Sequence, residues 1–216
     1  MNDDRAPAPA ALVDTGVMAI LRAESAEHYP AIGATLADAG VRCLEVTLTT
    51  PGALAAITEL RSALPSLALG AGTVLTATDV SDAIAAGAEF IVSPNTEPSV
   101  IQAASEARVA SFPGALTPTE VAAAWTAGAT TIKIFPGSAV GPGYITALHG
   151  PFPDIAMMPT GGVGLDDIGP WIRAGAVGVG LGSPLQGDAA TGGDLGALAD
   201  RASRALRAVA EARSAP

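Results

Sequence analysis

The chain contains a single lysine, Lys133, in the apolar segment 131–135. If this segment is a β-strand, alternation places Ile132 and Ile134 on one face and Lys133 on the other. When the isoleucines pack under helices, Lys133 points into the interior of the sheet, where desolvation favours the neutral amine. A neutral amine can attack a carbonyl carbon, so Lys133 is a candidate Schiff-base nucleophile. The alternatives are a structural ion pair with a carboxylate and a contact to a phosphate.

Glu45 lies in a second apolar segment, 43–48. The same alternation turns Glu45 inward with Cys43 and Thr47, while Leu44 and Val46 face the helices. A buried carboxyl group with a raised pKa is suited to general acid–base catalysis, and we interpret Glu45 as the proton shuttle for imine chemistry at the lysine. Its alternative role is to neutralise the lysine in a buried pair, which is compatible with proton transfer.

Two glycine-rich turns follow the last apolar runs of the chain, in PTGGVGLDDI (159–168) and GLGSPL (180–185). Glycines allow backbone N–H groups to approach an anion closely, and we expect a helix to start just after each turn. The sequence therefore predicts a phosphate site at Gly161, Gly162, Gly182 and Ser183, although two tight turns without a ligand would have the same pattern.

Three further residues end predicted strands and are weaker candidates. Arg22 follows the first strand and could bind a carboxylate through its planar guanidinium group, or it could be a solvated loop residue. Thr73 in GAGTVL is expected at the rim of the site, and Pro94 in SPN is expected beside the ligand.

Eight short apolar runs alternate with helical patterns along the chain. Four of the helical patterns end at Ala-Gly or an equivalent and lead within a few residues into an apolar strand, as in LADAGVRCLEVTL. Eight alternating βα units predict an α/β fold of the (βα)8 TIM barrel type, in which functional groups lie at the carboxyl ends of the strands.

The chain has 216 residues, 49% of them hydrophobic, which is enough for one domain with a sizeable core. Residues 1–14, which are acidic and then rich in Ala and Pro, are expected to form a disordered or loosely packed arm, and residues 15–216 the barrel. No export leader is recognised and the apolar runs are too short to span a bilayer, so we expect a cytoplasmic protein without a membrane partner.

The net charge of −10 argues against a nucleic-acid partner, because phosphate backbones are bound mainly by clustered Lys and Arg. One cysteine, Cys43, and two histidines do not form a zinc-binding pattern. We therefore expect no metal and no cofactor, and a small anionic molecule as the partner.

With these motifs assembled, the sequence resembles the 2-keto-3-deoxy-6-phosphogluconate (KDPG) aldolase / 4-hydroxy-2-oxoglutarate (KHG) aldolase family over nearly its whole length. LEVTL, GAGTVL, IVSPN, FPGALTPTE, KIFPGSAVGP and PTGG occur in order at the ends of predicted strands. The resemblance implies a class I aldolase, a carbon–carbon lyase that releases pyruvate and an aldehyde, glyceraldehyde 3-phosphate or glyoxylate, without a cofactor. It also implies a homotrimer.

The resemblance identifies Lys133 as the Schiff-base residue and Glu45 as the proton shuttle. It further implies that the substrate is bound by Thr73, Thr160, Pro94, Phe135 and the glycines of the two turns. One position departs from the phosphogluconate type, because Thr49 stands where an arginine is expected to bind the substrate carboxylate. Arg22 stands where relatives acting on the phosphogalactonate epimer have a basic residue, so KDPG, its galactonate epimer and KHG all remain candidate substrates.

Two other functions are compatible with the same residues. One is a phosphate-binding barrel that works as an isomerase, epimerase or synthase, with Lys133 as an acid–base group or a phosphate contact. The other is a sugar-phosphate binder without catalytic activity, since a fold alone does not establish a function.

Overall fold

The computed structural model describes residues 5–214 of the chain. Short parallel strands alternate with helices along it. The strands are β1 (Val17–Leu21), β2 (Cys43–Thr47), β3 (Ala68–Gly72), β4 (Phe90–Val92), β5 (Ala110–Phe112), β6 (Gly114–Ala115), β7 (Ile132–Ile134), β8 (Met157–Pro159) and β9 (Val179–Leu181). The helices are α1 (Ala10–Thr15), α2 (Tyr29–Asp38), α3 (Ala53–Ala63), α4 (Ala77–Ala85), α5 (Pro98–Glu106), α6 (Pro118–Thr126), α7 (Gly143–His149), α8 (Ile168–Arg173), α9 (Ser183–Gln186) and α10 (Leu195–Ser214).

The strands form a curled parallel sheet in two parts. One part has the order β5-β4-β3-β2-β1-β9 and the other the order β6-β7-β8. The parts meet on one side where Lys133 N donates to the carbonyl oxygen of Pro113, and on the other at a bridge between Thr160 and Gly180. Strands β5 and β6 are separated by Pro113 alone, which has no N–H group to donate to a neighbouring strand. The class is α/β, as predicted.

The strands are buried on both faces, which explains their continuous apolar composition. Side chains such as Leu44, Val46, Ile132 and Ile134 face the helices and belong to the larger hydrophobic cluster. A second cluster fills the inside of the sheet; it consists of Leu12, Met18, Cys43, Ala68, Phe90, Val92, Ala110, Phe112 and Met158. Inside the sheet, the space that this cluster leaves for a ligand lies nearer the carboxyl ends of the strands.

A glycine makes room for the largest side chains of this inner cluster. A Cβ atom on Gly70 would lie 2.2 Å from the ring of Phe90, which meets the ring of Phe112 edge to face with centroids 5.7 Å apart. Gly70 is thus required for the aromatic packing inside the sheet.

The expectation of a disordered or loosely packed N-terminal arm is wrong for residues 5–14, and residues 1–4 lie outside the described part. The guanidinium group of Arg5 lies 3.8 Å from the ring centroid of Trp125, and its Nη1 donates to the carbonyl oxygens of Trp125 and Ala129. Helix α1 follows, and its Leu12 is buried in the inner cluster. Apolar contacts and cation–π attraction hold this segment against the rest of the protein, whereas its composition alone predicted that it would be solvated.

Within residues 5–214, none of the helices combines the length and the apolar character needed to cross a lipid bilayer.

Candidate active site

A cavity of about 440 Å³ opens at the carboxyl ends of the strands and contains most of the predicted site. Its lining residues are Ile20, Arg22, Glu45, Lys133, Phe135, Thr160, Gly161, Gly162, Val163, Gly180, Gly182, Ser183, Pro184 and Gln186. Of the residues predicted from the sequence, only Thr73 and Pro94 are absent from this lining. The elements that meet here are distant in the chain, which is what the parallel arrangement of strand ends requires.

A larger cavity of about 750 Å³ lies at the opposite ends of strands β7 to β9, beside the N-terminal segment. Its walls are mostly apolar and include Leu12, Trp125 and Val177, with neither a lysine nor a carboxylate. Size alone would favour this cavity, but only the smaller one combines a buried amine with a buried carboxyl group.

Lys133 occupies the middle of β7, as the alternation predicts. Ile132 and Ile134 are completely buried in the cluster under the helices, whereas Lys133 is 5% exposed and faces the cavity with its Nζ 4.8 Å from the ring centroid of Phe135. Burial lowers the pKa of Lys133 below its ordinary value of 10.5; the negative charge of Glu45 opposes this shift and the positive charge of Arg22 adds to it. The neutral amine is therefore more accessible than that of a solvated lysine.

Glu45 is 1% exposed in β2, and its pKa is raised above 4.5 mainly because burial disfavours the carboxylate, while the charges of Lys133 and Arg22 act in the opposite direction. Glu45 Oε2 has no hydrogen-bond partner. In the described residues no hydrogen bond or ion pair joins the carboxyl group to Lys133. The two groups influence each other electrostatically but are not locked in a salt bridge, so both remain available to a ligand.

Arg22 follows the end of β1 and holds Thr73 at the rim. Its Nη2 donates to Thr73 Oγ1 over 3.0 Å, and Thr73 has a backbone φ of 57°, which is rare for a β-branched residue. Residues kept in such a conformation occur preferentially at functional sites. Thr49, at the position of the missing arginine, is exposed and donates to Thr47 Oγ1 over 3.3 Å. Among the described residues that line the cavity, Arg22 carries the only guanidinium group, which is suited to a substrate carboxylate.

Pro94 lies behind the rim rather than in the cavity wall. A Cβ atom on Gly114 would be 2.1 Å from the carbonyl oxygen of Pro94, so the loop after β4 packs its backbone on β6. A direct contact of Pro94 with a ligand stays a prediction.

The two glycine turns differ in structure. Gly161 and Gly162 have φ angles of 84° and 73°, and α8 starts only at Ile168 because residues 165–167 first form a turn. The helix expected after the glycines is present, but a turn separates it from Gly162. In contrast, α9 begins at Ser183 immediately after Gly182. Residues of both turns line the cavity.

One lining residue, Gln186, was not recognised from the sequence. It is 3% exposed, and its Oε1 lacks a hydrogen-bond partner, as do Glu45 Oε2 and Thr160 Oγ1. The sequence contained one signal for it. Gln186 is a polar residue one helical turn after GLGS, on the side of α9 that faces the cavity. Buried polar atoms are rarely left unpaired, so these three around one cavity form a surface suited to a hydrogen-bonding ligand.

Comparison with known proteins gives consistent matches. A family model described as KDPG and KHG aldolase matches residues 10–197. The 2-dehydro-3-deoxy-6-phosphogalactonate aldolase of Escherichia coli (strain K12) is 40% identical over 171 residues, covering 78% of this chain and 83% of that protein.

Two solved structures have closely similar folds. The structure described as native KDPGal has a TM-score of 0.87 at 35% identity, covering 92% of this chain and 96% of its own. The KDPG aldolase of Legionella pneumophila, solved with pyruvate captured as a covalent carbinolamine intermediate, has a TM-score of 0.82 at 25% identity, covering 94% of this chain and 97% of its own.

Proposed function

Because the chain belongs to the KDPG and KHG aldolase family and is a carbon–carbon lyase, we propose that it cleaves a phosphorylated 2-keto-3-deoxy sugar acid through an imine at Lys133. The products are pyruvate and glyceraldehyde 3-phosphate. The observation that carries the proposal is the placement of a buried amine with a lowered pKa and a buried carboxyl group with a raised pKa on one cavity. The pyruvate carbinolamine in the Legionella enzyme supports the same chemistry.

In the proposed cycle the neutral amine of Lys133 adds to carbon 2 of the keto acid, and Glu45 transfers protons until water leaves and the imine forms. The protonated imine withdraws electrons from carbon 3. Glu45 then accepts the proton of the carbon 4 hydroxyl, and the bond between carbons 3 and 4 breaks to an enamine and the aldehyde. Protonation of the enamine and hydrolysis release pyruvate and the free amine.

The remaining groups bind the two ends of the substrate. Arg22 is the proposed partner of the carboxylate, because it is a cation at the rim, and Thr160 offers a buried hydroxyl without a protein partner. The backbone of Gly161, Gly162, Gly182 and Ser183 is proposed to take the phosphate. Phe135 would cover the pyruvyl group from the side of the Lys133 amine.

Reductive trapping tests the imine. Borohydride added with pyruvate should fix one carboxyethyl group on the protein, and peptide mass spectrometry should locate it at Lys133, the one lysine of the chain. Lys133→Arg keeps the charge but cannot form a neutral amine at neutral pH. We expect this variant to show neither adduct nor pyruvate release; failure of the unmodified protein to form the adduct would contradict the proposal.

The substrate is tested by pyruvate release from KDPG, from its galactonate epimer and from KHG, measured under one set of conditions. Two observations favour the galactonate epimer. The chain is 40% identical to a phosphogalactonate aldolase and 38% identical to a phosphogluconate aldolase, and it has Arg22 together with Thr49. Turnover of KHG at a rate equal to that of the phosphorylated acids would show that the glycine turns do not select for phosphate.

We propose further that the curled sheet works as a closed (βα)8 barrel comprising residues 15–216, with β5 and β6 as one strand and residues 1–14 as a segment that precedes it. The contacts at Pro113 and between Thr160 and Gly180 support this description.

A homotrimer is proposed from the family resemblance, and sedimentation as a monomer would contradict it. A cytoplasmic location is proposed because phosphorylated sugar acids do not cross membranes unaided; cell fractionation tests it.

A further inference from the structure

Gln186 faces the cavity but takes no part in the imine chemistry proposed above. It is the last residue of α9, and its backbone N–H donates to the carbonyl oxygen of Gly182 over 3.0 Å. Its side chain reaches down to β1, where Nε2 donates to the carbonyl oxygen of Ile20 over 2.6 Å. Ile20 pairs in register with Glu45 on β2. The residue before it, Ala19, is the last residue of β1 that pairs with β9. Gln186 is thereby fixed beside the reacting centre.

The Ile20 contact also determines which end of the amide is free. A carbonyl oxygen can only accept, so the NH₂ group of Gln186 must face Ile20, and Oε1 must point away from it. Oε1 is buried, has no hydrogen-bond partner and belongs to a residue of the cavity wall. A purely structural role would use the donor at Ile20 but would leave this buried acceptor unsatisfied, at a cost in stability.

The chemistry of the substrate indicates what Oε1 accepts from; this step rests on the proposed function. Carboxylate and phosphate oxygens are acceptors and cannot pair with Oε1. The carbon 2 oxygen leaves as water, and the carbon 4 hydroxyl gives its proton to Glu45. The hydroxyl that then remains on the substrate is the one on carbon 5. It is next to the phosphorylated carbon, just as Gln186 is one helical turn from Gly182 and Ser183 at the proposed phosphate site.

We propose that Gln186 Oε1 accepts a hydrogen bond from the carbon 5 hydroxyl and makes Gln186 a specificity-determining residue for the aldehyde half of the substrate. The site then selects phosphorylated hydroxy acids. KHG has a carboxylate at carbon 5, which would place an acceptor against an acceptor. Discrimination of this kind arises because a buried polar group is left unpaired when the wrong ligand is bound.

Synthesis in the aldol direction tests the proposal with two aldehydes. Pyruvate is combined with glyceraldehyde 3-phosphate or with 3-oxopropyl phosphate, which lacks only the hydroxyl that becomes the carbon 5 hydroxyl. The unmodified protein should prefer the hydroxylated aldehyde in kcat/KM, and Gln186→Met should reduce that preference about tenfold. Gln102→Met, the same change at an exposed glutamine of α5, should leave the preference unaltered.

Each outcome has a distinct meaning. If Gln186→Met lowers kcat/KM equally with both aldehydes, Gln186 only holds β1 in place and the proposal is wrong. The proposal is also wrong if kcat/KM changes with neither aldehyde. If the variant does not fold, the unmodified protein still decides, because an enzyme without preference between the aldehydes does not use Oε1 in this way. Borohydride trapping with pyruvate is run in parallel: an adduct at Lys133 keeps the proposed function even when the aldehyde preference fails.

Discussion

The carboxyl group of Glu45 lies directly against the backbone of Gly72, because a Cβ atom on residue 72 would fall 1.8 Å from Glu45 Oε1. Gly72 pairs with Thr47 at the end of β3 and β2, so the neighbouring strand leaves the space that the glutamate side chain fills. The position of the proposed proton shuttle therefore depends on a glycine that has no functional group of its own.

Gly72→Ala should displace the Glu45 carboxyl group while leaving the strands in place, since the clash is with the end of a side chain. A displacement of about 1 Å can reduce catalysis about 100-fold, and overpacking costs about 1–3 kcal/mol of unfolding free energy. Pyruvate release and denaturant unfolding measure the two effects. In Gly114→Ala the clash is with the backbone of Pro94, 2.1 Å away, and the loss of stability should be larger. Full activity of Gly72→Ala would mean that the carboxyl position is unimportant.

Glu45→Gln should lower pyruvate release by about 100- to 10,000-fold, the usual range for loss of a general acid–base group. The amide has the same shape but cannot accept and return a proton. Imine formation with pyruvate should persist at a reduced rate, because the amine of Lys133 is retained, and borohydride trapping measures it. Glu59→Gln, at an exposed position of α3, is the matched control and should behave like the unmodified protein. Normal turnover by Glu45→Gln would remove Glu45 from the mechanism.

The pH dependence of imine formation should shift in opposite directions in two variants. Trapping should become faster as the pH rises through the pKa of Lys133, since only the neutral amine attacks. The charge of Glu45 raises that pKa, so Glu45→Gln should move the rising limb to lower pH; Arg22 lowers it, so Arg22→Gln should move the limb to higher pH. The second shift should be the smaller one because Arg22 is exposed. Shifts in the same direction would contradict the assigned electrostatics.

Strand alternation was sufficient to predict that Lys133 and Glu45 face inward, because isoleucine, leucine and valine on the opposite face leave only one orientation that buries them. Gly161, Gly162, Gly182 and Ser183 could be located because their turns follow apolar runs. Gln186 was not recognised as a cavity residue, because its place one helical turn after GLGS becomes informative only when the packing of the four-residue helix α9 on β1 is known. The packed N-terminal segment was missed for a similar reason: Arg5 and Trp125 are about 120 residues apart, and composition contains no information on such contacts.

Thr160 provides a test that separates ligand binding from stability. Its Oγ1 is buried without a partner, although the residue itself is bridged to Gly180 by the backbone. Valine has nearly the same shape, so Thr160→Val should leave the unfolding free energy unchanged or raise it by about 1 kcal/mol, because an unsatisfied hydroxyl is removed. The KM for the keto acid should rise about five- to tenfold, since the ligand loses a hydrogen bond.

Thr47→Val is the control for this test. Thr47 is equally buried on β2, but its hydroxyl is within 3.3 Å of the hydroxyls of Thr50 and Thr49, so the same substitution breaks existing contacts and should cost about 1–3 kcal/mol. Denaturant unfolding of both variants, together with steady-state kinetics, distinguishes the two kinds of hydroxyl. If Thr160→Val lost as much stability as Thr47→Val and kept its KM, the unpaired oxygen would have a partner inside the protein and not in the substrate.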